Sequence, residues 1–421
     1  MAGRLGGLRD SATDMLFSGL VPATAISPAA RIATLRPTTV NLITQQVREL
    51  QAQGQELVSL MRGEPDLATP AHIIEACERA LRAGRTGYPD NRGEQAFREA
   101  VALKMERDNG LKYDPAAEIL ATSGASFGIY AALAALVNEG DEVLLPDPIY
   151  DAYVSPIRLC GGTVRMVPSP IVNGRFVITV EALEAAWSPA ARVLILNTPW
   201  NPVGTVLTRS ELAAIGRFCE RRNVILLSDE IYETIVYEGH RHVSPVAAAP
   251  ELRERCVIVN SLSKTYAMTG WRVGYCAAPA ALIRAMFLVL AQSSRGPATF
   301  IQDAAAAALA GPQDSVGRMR EEYARRRERV SAGLAGVPGV EVMRPEGGFF
   351  AMTDVRGLGL TSDDVRLRLL HEHGVVVAHG AAYGPAGEGT LRVSFASGGA
   401  TLDRGLDRLR EGLTRIGESR V

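Results

Sequence analysis

Ser261-Leu262-Ser263-Lys264-Thr265-Tyr266-Ala267-Met268-Thr269-Gly270-Trp271-Arg272-Val273-Gly274 is the stretch that decides how this chain reads. It sets one lysine in a short polar run and an arginine eight residues later, ahead of an apolar segment. A lysine amine condenses with an aldehyde, and burial lowers its pKa so that it can act as nucleophile and proton carrier. The guanidinium of Arg272, with the hydroxyls of Ser261 and Ser263, suits a phosphate dianion, because guanidinium meets phosphate through two parallel hydrogen bonds. An aldehyde that carries a phosphate describes pyridoxal 5′-phosphate.

Outward from this run, short β-branched or aliphatic stretches alternate with helical ones. Strands are predicted over 118–123, 142–146, 163–167, 193–197, 224–228, 256–260 and 273–277, with helices between them that include 127–138 and 209–222. This alternation argues for an α/β protein with a mainly parallel sheet covered on both faces, which takes ligands at the carboxyl ends of its strands. Beyond Gln302 the pattern changes to a long Ala- and Arg-rich helix predicted over 301–337, then short strands and a closing helix near 402–416. The change predicts a large domain over 63–304 and a smaller one made of 26–62 and 305–421, preceded by an N-terminal extension over 1–25.

The 421 residues exceed one average domain, which agrees with that division. A net charge of −1 offers no basic footprint for nucleic acid, and no apolar run is long enough to span a membrane. The first residues mix Arg4, Arg9, Asp10 and Asp14 with small side chains and lack the apolar core of a secretory signal. Cys77, Cys160, Cys219, Cys256 and Cys276 are scattered without metal or redox spacing, so free thiols in a reducing cytoplasm are expected. His371-Glu372-His373, at the end of an amphipathic helix predicted over 362–373, reads as a solvated face, and no metal is expected.

Several strand ends carry chemistry. Asp229 closes the apolar stretch Val224-Ile225-Leu226-Leu227-Ser228. A carboxylate beside a pyridine nitrogen keeps that nitrogen protonated and makes the ring an electron sink. Capping a helix at Ile231 would explain the residue as well. Tyr232 is three residues on, placed to donate to a ring phenolate oxygen, and Asn201, in Asn197-Thr198-Pro199-Trp200-Asn201-Pro202-Val203-Gly204, can hold the same atom. Taken alone, that segment is a tight loop. Gly124-Ala125-Ser126 follows a strand and opens a helix, where bare amides make a second phosphate cradle. Tyr150, in Pro146-Asp147-Pro148-Ile149-Tyr150, sits where an aromatic can stack on a pyridine face or simply fill the core. Arg392 is a charge inside the apolar stretch Leu391-Arg392-Val393-Ser394-Phe395 and needs an anionic partner, either a substrate carboxylate or a structural salt bridge.

The run around Lys264 resembles, almost letter for letter, the cofactor-lysine motif of the class I/II aminotransferases of fold type I. The family's other motifs stand in the same order with matching gaps: Gly63-Glu64-Pro65-Asp66, Tyr88 ahead of Gly93, the Gly124 loop, Asn201, Asp229-Glu230-Ile231-Tyr232, Arg272 and Arg392. The similarity covers roughly Ile26 to the C-terminus. It implies a mainly parallel seven-stranded sheet flanked by helices, a smaller α+β domain, and transfer of an amino group between an L-amino acid and a 2-oxo acid. It also implies roles. Lys264 is the Schiff-base lysine, Asp229 pairs with the pyridine nitrogen, and Asn201 and Tyr232 hold the phenolate oxygen. Ser261, Ser263, Arg272 and the amides of Ala125 and Ser126 bind the phosphate, while Arg392 and the Gly63 backbone receive the substrate carboxylate. A homodimer with shared active sites is implied too, with Tyr88 reaching the neighbouring subunit's phosphate.

Other readings compete. The same cofactor and residues serve elimination, replacement or oxygen-dependent oxidation of an amino acid. Gly124-Ala125-Ser126-Phe127-Gly128 fits G-x-S-x-G, and the order Ser126, Asp229, His379 is that of a serine hydrolase. A non-catalytic binding protein on this fold is a third reading. For the amino donor, Arg295 is either a hook for a second carboxylate or a surface arginine. His379, where relatives carry proline, and Asn41, in Pro37-Thr38-Thr39-Val40-Asn41, are expected at the substrate pocket.

Overall fold

The apolar stretches at the centre of the chain become strands that are almost wholly buried except at the edge strand Thr163–Pro168, as a sheet covered on both faces requires. In the computed structural model, which describes residues 29–419, seven of them form one sheet. They are β1 (Ile119–Thr122), β2 (Glu142–Asp147), β3 (Thr163–Pro168), β4 (Ala191–Asn197), β5 (Ile225–Asp229), β6 (Cys256–Ser261) and β7 (Gly274–Ala277). Their order across the sheet is β1-β7-β6-β5-β4-β2-β3. β7 runs antiparallel to both of its neighbours and every other pair is parallel. All six residues of β6 are buried, and so are the last four of β5.

Local chemistry sets the helices that cover this sheet. The helix Arg209–Arg222 opens with a capping box between Thr208 and Glu211 and closes on Asn223 in the left-handed conformation. The helix Ala125–Leu136 starts two residues before the expected 127, directly after Gly124 at φ +80°. It lies against β6 and β7 through Gly128, where a Cβ would come within 2.8 Å of Cys276 Sγ and 3.2 Å of Val259 Cγ1. Only glycine permits that approach.

A second, four-stranded antiparallel sheet follows, in the order β8-β9-β11-β10, from β8 (Glu341–Met343), β9 (Phe350–Asp354), β10 (Ala378–His379) and β11 (Thr390–Ser394). Its core gathers Tyr323, Phe349, Leu391, Leu409 and Ile416, separate from the cluster around β4 to β6. The single helix expected over 301–337 is two helices, Thr299–Ala310 and Asp314–Leu334. Gly311 and Pro312 part them. Proline has no N–H to give and drives the residue before it out of the helical region, and Gly311 is extended at ψ −169°. The closing helix, Gly399–Glu418, is longer at both ends than 402–416, and Ser362–His373 is found as expected.

The N-terminal extension expected over 1–25 lies outside the described residues. The described residues before Arg36 hold the short 3-10 helix Ala30–Thr34. No helix among the described residues is long and apolar enough to cross a membrane, and all five cysteines are free.

Leu227 at the middle of β5 is fully buried, so Leu227→Ala leaves a cavity between helix layers as well as losing its transfer free energy. We expect a loss of about 2–5 kcal/mol, read as a lower urea midpoint with an unchanged slope. A loss below about 1 kcal/mol would show that the site collapses around the gap.

Candidate active site

Because β2, β4, β5 and β6 are parallel, the loops leaving their carboxyl ends meet at one edge of the sheet. They enclose a cavity of about 480 Å³, within the range of small-molecule sites. Ala125 and Ser126 enter it from the helix after β1, Tyr150 and Tyr153 from the turn after β2, and Asn201 from the loop after β4. Asp229 and Tyr232 come from the end of β5, and Ser263, Lys264 and Arg272 from the segment after β6. Arg392 arrives from β11 of the other sheet.

Two opposite charges define the middle of the cavity. Lys264 Nζ donates to the Gly63 carbonyl at 2.6 Å and lies 5.8 Å from the Phe349 ring centroid. Burial lowers its pKa to about 8, against the pull of Glu64 and Asp229, with Arg272 and Arg392 pushing the same way as burial. Asp229 is 5% exposed, and burial raises its pKa to about 6. The Tyr153 hydroxyl, donating to Oδ2 at 2.6 Å, and the Ile231 amide, donating to Oδ1 at 3.2 Å, draw it back. No helix starts at Ile231, where the chain makes a turn, so Asp229 closes a turn and does not cap a helix. Behind β5, Glu230 accepts from Ser228, Ser244 and His242, and Glu233 pairs with Lys104, Asn109 and Asn260.

One end of the cavity is made for an anion. Gly124 sits at φ +80° beside Arg272, and a Cβ there would stand 2.7 Å from Arg272 Nη2. Arg272 is itself left-handed at φ +53°, with Nη1 donating to the Thr269 carbonyl at 3.0 Å. Ser263 lines the cavity. Ser261 is turned into the backbone instead: its Oγ lies 2.9 Å from the Val273 carbonyl oxygen and 2.8 Å from Ser263 Oγ, and accepts from the Ser263 amide. It supports Ser263 and is not among the lining residues.

At the other end Arg392 is 3% exposed. Nη1 donates to Asn201 Oδ1 at 3.2 Å and Nη2 to the Met61 carbonyl at 3.3 Å, while the guanidinium lies 4.2 Å from the Phe350 ring centroid and 4.8 Å from that of Tyr383. No carboxylate of the described residues comes within ion-pair distance of it, although its charge favours the ionised form of the Asp151 carboxyl, so the salt-bridge reading is not realised as a contact.

Several expected residues stand elsewhere. His379 Nδ1 lies 3.2 Å from Asp363 Oδ1, and His379 does not line the cavity. The hydrolase order Ser126, Asp229, His379 therefore assembles no triad. Asn41 is exposed in the first turn of the helix Thr39–Ala52, its amide donating to Thr38 Oγ1, and it is Val40 that reaches the cavity. Tyr88 is 87% exposed, and Arg295 Cζ lies 5.2 Å from its ring centroid; neither lines the cavity in this chain. The sequence reading passed over Tyr153, Arg62 and Thr269. The signal for Tyr153 was available: it follows Tyr150 at the i, i+3 spacing that puts both rings on one side of a helical turn.

A lysine with a pKa of about 8 is half neutral where an ordinary lysine, at 10.5, is almost wholly charged. Competitive acylation of the protein freed of any aldehyde should therefore label Lys264 with a midpoint near pH 8, the reactive fraction rising as pH rises through that value. A midpoint above about 10 would contradict the desolvation of this amine.

The pattern of the family described as aminotransferase class I and II matches residues 55–409. Aspartate aminotransferase of Geobacillus stearothermophilus is 36% identical over 386 residues, which cover 90% of this chain and 97% of that one. Arginine–pyruvate transaminase of Pseudomonas aeruginosa is 39% identical over 364 residues, 86% of this chain and 90% of that one. Among solved structures, aspartate aminotransferase of Rhizobium meliloti superposes with a TM-score of 0.89 at 33% identity, over 93% of this chain and all of that one. The residues matched and the shared fold agree: this chain is a member of the class I and II aminotransferases and has their activity.

Proposed function

We propose that the cavity holds pyridoxal 5′-phosphate and that Lys264 is the residue through which an amino group passes between an L-amino acid and a 2-oxo acid. The observation that carries this is the separation of charges along one cavity: an anion cradle at Gly124 and Arg272, an amine and a carboxylate in the middle, and an arginine without a carboxylate partner at the far end. The residues fit the group. Gly124 leaves open the space a Cβ would fill beside Arg272, and Arg392 Nε is buried without a hydrogen-bond partner. When bound, pyridoxal phosphate supplies an aldehyde for the amino group and a protonated ring that accepts the electrons of a broken Cα–H bond.

Each residue then has a task. Ala125 and Ser126, at the helix start, with Ser263 and Arg272, hold the phosphate. Asp229 would pair with the ring nitrogen as a carboxylate, Asn201 and Tyr232 would hold the phenolate oxygen, and Tyr150 would pack against the ring. Arg392 would bind the α-carboxylate of the donor and so orient its Cα. Lys264 Nζ, neutral at a pH its lowered pKa brings within reach, would serve as the base that takes the Cα proton and the acid that gives it back. The tyrosine hydroxyl of Tyr232 stays protonated, since burial raises its pKa.

The same reading includes a second copy of the chain. Tyr88 is an aromatic ring left 87% exposed under a guanidinium, a disposition that suits a ligand or a partner covering it. Five free cysteines suit a reducing cytoplasm. The division into a large domain over 63–304 and a smaller one from 305–421 with the segment before Gly63 belongs to the proposal as well, supported by the separate clusters around Leu194 and Leu409.

Lys264→Ala should abolish multiple turnover while leaving a folded protein; sustained turnover in that variant would contradict the role of Lys264. Arg392→Lys should raise KM for the amino donor by roughly tenfold or more, with a smaller change in kcat, because a point charge cannot replace a two-pronged contact. An unchanged KM would place the substrate carboxylate elsewhere.

A further inference from the structure

Asp229 is read above as the partner of the ring nitrogen, and the present inference rests on that reading. A carboxylate in that position faces a difficulty of its own. It is buried, and burial favours its neutral form. A neutral carboxyl group takes the proton that the ring nitrogen needs. Something must hold it ionised.

The groups that face Asp229 come from every element around it. Glu230, the next residue, repels its charge, while Lys264 from the segment after β6 attracts it. Tyr150, Tyr232 and, from β7, Cys276 stand near enough to feel that charge in their own titrations. Two groups touch the carboxylate by hydrogen bonds, the Ile231 amide and the Tyr153 hydroxyl, and the second bond is the shorter, at 2.6 Å against 3.2 Å. Tyr153 is 2% exposed and lines the cavity. Burial and the neighbouring Asp229 hold its phenol well above the ordinary tyrosine value, so its proton stays on oxygen and the bond runs one way, from Tyr153 to Asp229.

The geometry points to Tyr153 as a positioning residue that keeps the proton on the cofactor's ring nitrogen by satisfying Asp229 Oδ2. A hydrogen bond to the charged form of a carboxylate makes that form less basic. Asp229 then leaves the proton on nitrogen, and the ring keeps its capacity to accept electrons. The same side chain has a second duty, since its ring meets that of Tyr150 edge-on, with centroids 5.5 Å apart at 88°. One short turn after β2 thus sets both the partner of the ring nitrogen and the aromatic that lies by the ring.

The test uses the holoenzyme loaded with ¹⁵N-labelled pyridoxal phosphate, wild type beside Tyr153→Phe. In the wild type the ring nitrogen should resonate as a pyridinium. In Tyr153→Phe it should move toward the neutral pyridine position, and kcat should fall roughly ten- to a hundredfold, the size of one charged hydrogen bond, with KM for the amino donor little changed. The pH midpoint of the bound cofactor's visible absorbance should rise, because a less protonated ring withdraws fewer electrons from the linkage to Lys264. Fluorotyrosine at position 153 keeps the shape and strengthens the donor, so it should lower that midpoint; it carries the test alone if the phenylalanine variant does not fold. A wild type that takes up no cofactor overturns the cofactor reading and this proposal with it. A wild type with a protonated ring nitrogen, whose resonance and midpoint neither substitution alters, overturns the role of Tyr153 only.

Discussion

A carboxylate, an amine and a guanidinium share one cavity, all removed from bulk water, and the rest of the molecule is arranged so that this is tolerable. An isolated buried charge costs several kcal/mol, and no single partner here offsets it. Asp229 and Lys264 lower one another's cost across the cavity, and fixed dipoles finish the work: the Ile231 amide and Tyr153 hydroxyl on the carboxylate, the Gly63 carbonyl on the amine, the Asn201 and Met61 carbonyls on Arg392. What remains uncompensated is functional. Lys264 is left with a pKa of about 8, close to the range in which an amine can both lose and regain a proton.

That arrangement depends on topology before it depends on side chains. Parallel strands send all their carboxyl ends to one edge, so residues from distant parts of the chain meet without long loops. The single reversed strand, β7, returns the chain beside β6 soon after Arg272, which holds that arginine next to the serines of the same segment. Gly274 makes the return possible, since a Cβ there would stand 2.6 Å from the Asn260 carbonyl. Arg392 comes from the four-stranded sheet, as does Phe350 of β9, at the point where β11 lies between β9 and β10. The two cationic ends of the cavity, Arg272 and Arg392, therefore come from segments of two different sheets, and a shift of one against the other changes the distance between them.

Much of this was legible in the residues. The seven strands could be placed within a residue or two because continuous buried runs such as Cys256–Ser261 have no other reading between turn signals. Lys264, Asp229, Arg272 and Arg392 stood out because a charge beside an apolar run needs a reason. The failures have physical causes too. The break at Gly311–Pro312 was hidden by the strong helical composition on both sides. His379 looked like a pocket residue in sequence, yet a β-strand turns successive side chains to opposite faces, and this one faces Asp363. For Tyr153 the spacing from Tyr150 hinted at a shared side, but its bond to Asp229, 76 positions away, is a contact that no local pattern encodes.

The central claim is that this cavity moves an amino group through pyridoxal phosphate, and one half-reaction tests it. The purified protein loaded with the cofactor is mixed with single amino acids and no 2-oxo acid, while the visible spectrum is followed and products are identified. The account predicts that the yellow absorbance bleaches to that of the amine form of the cofactor, with one equivalent of 2-oxo acid released per site. Product that accumulates past one equivalent while the colour persists would contradict it, since the same residues would then be serving elimination, replacement or oxidation.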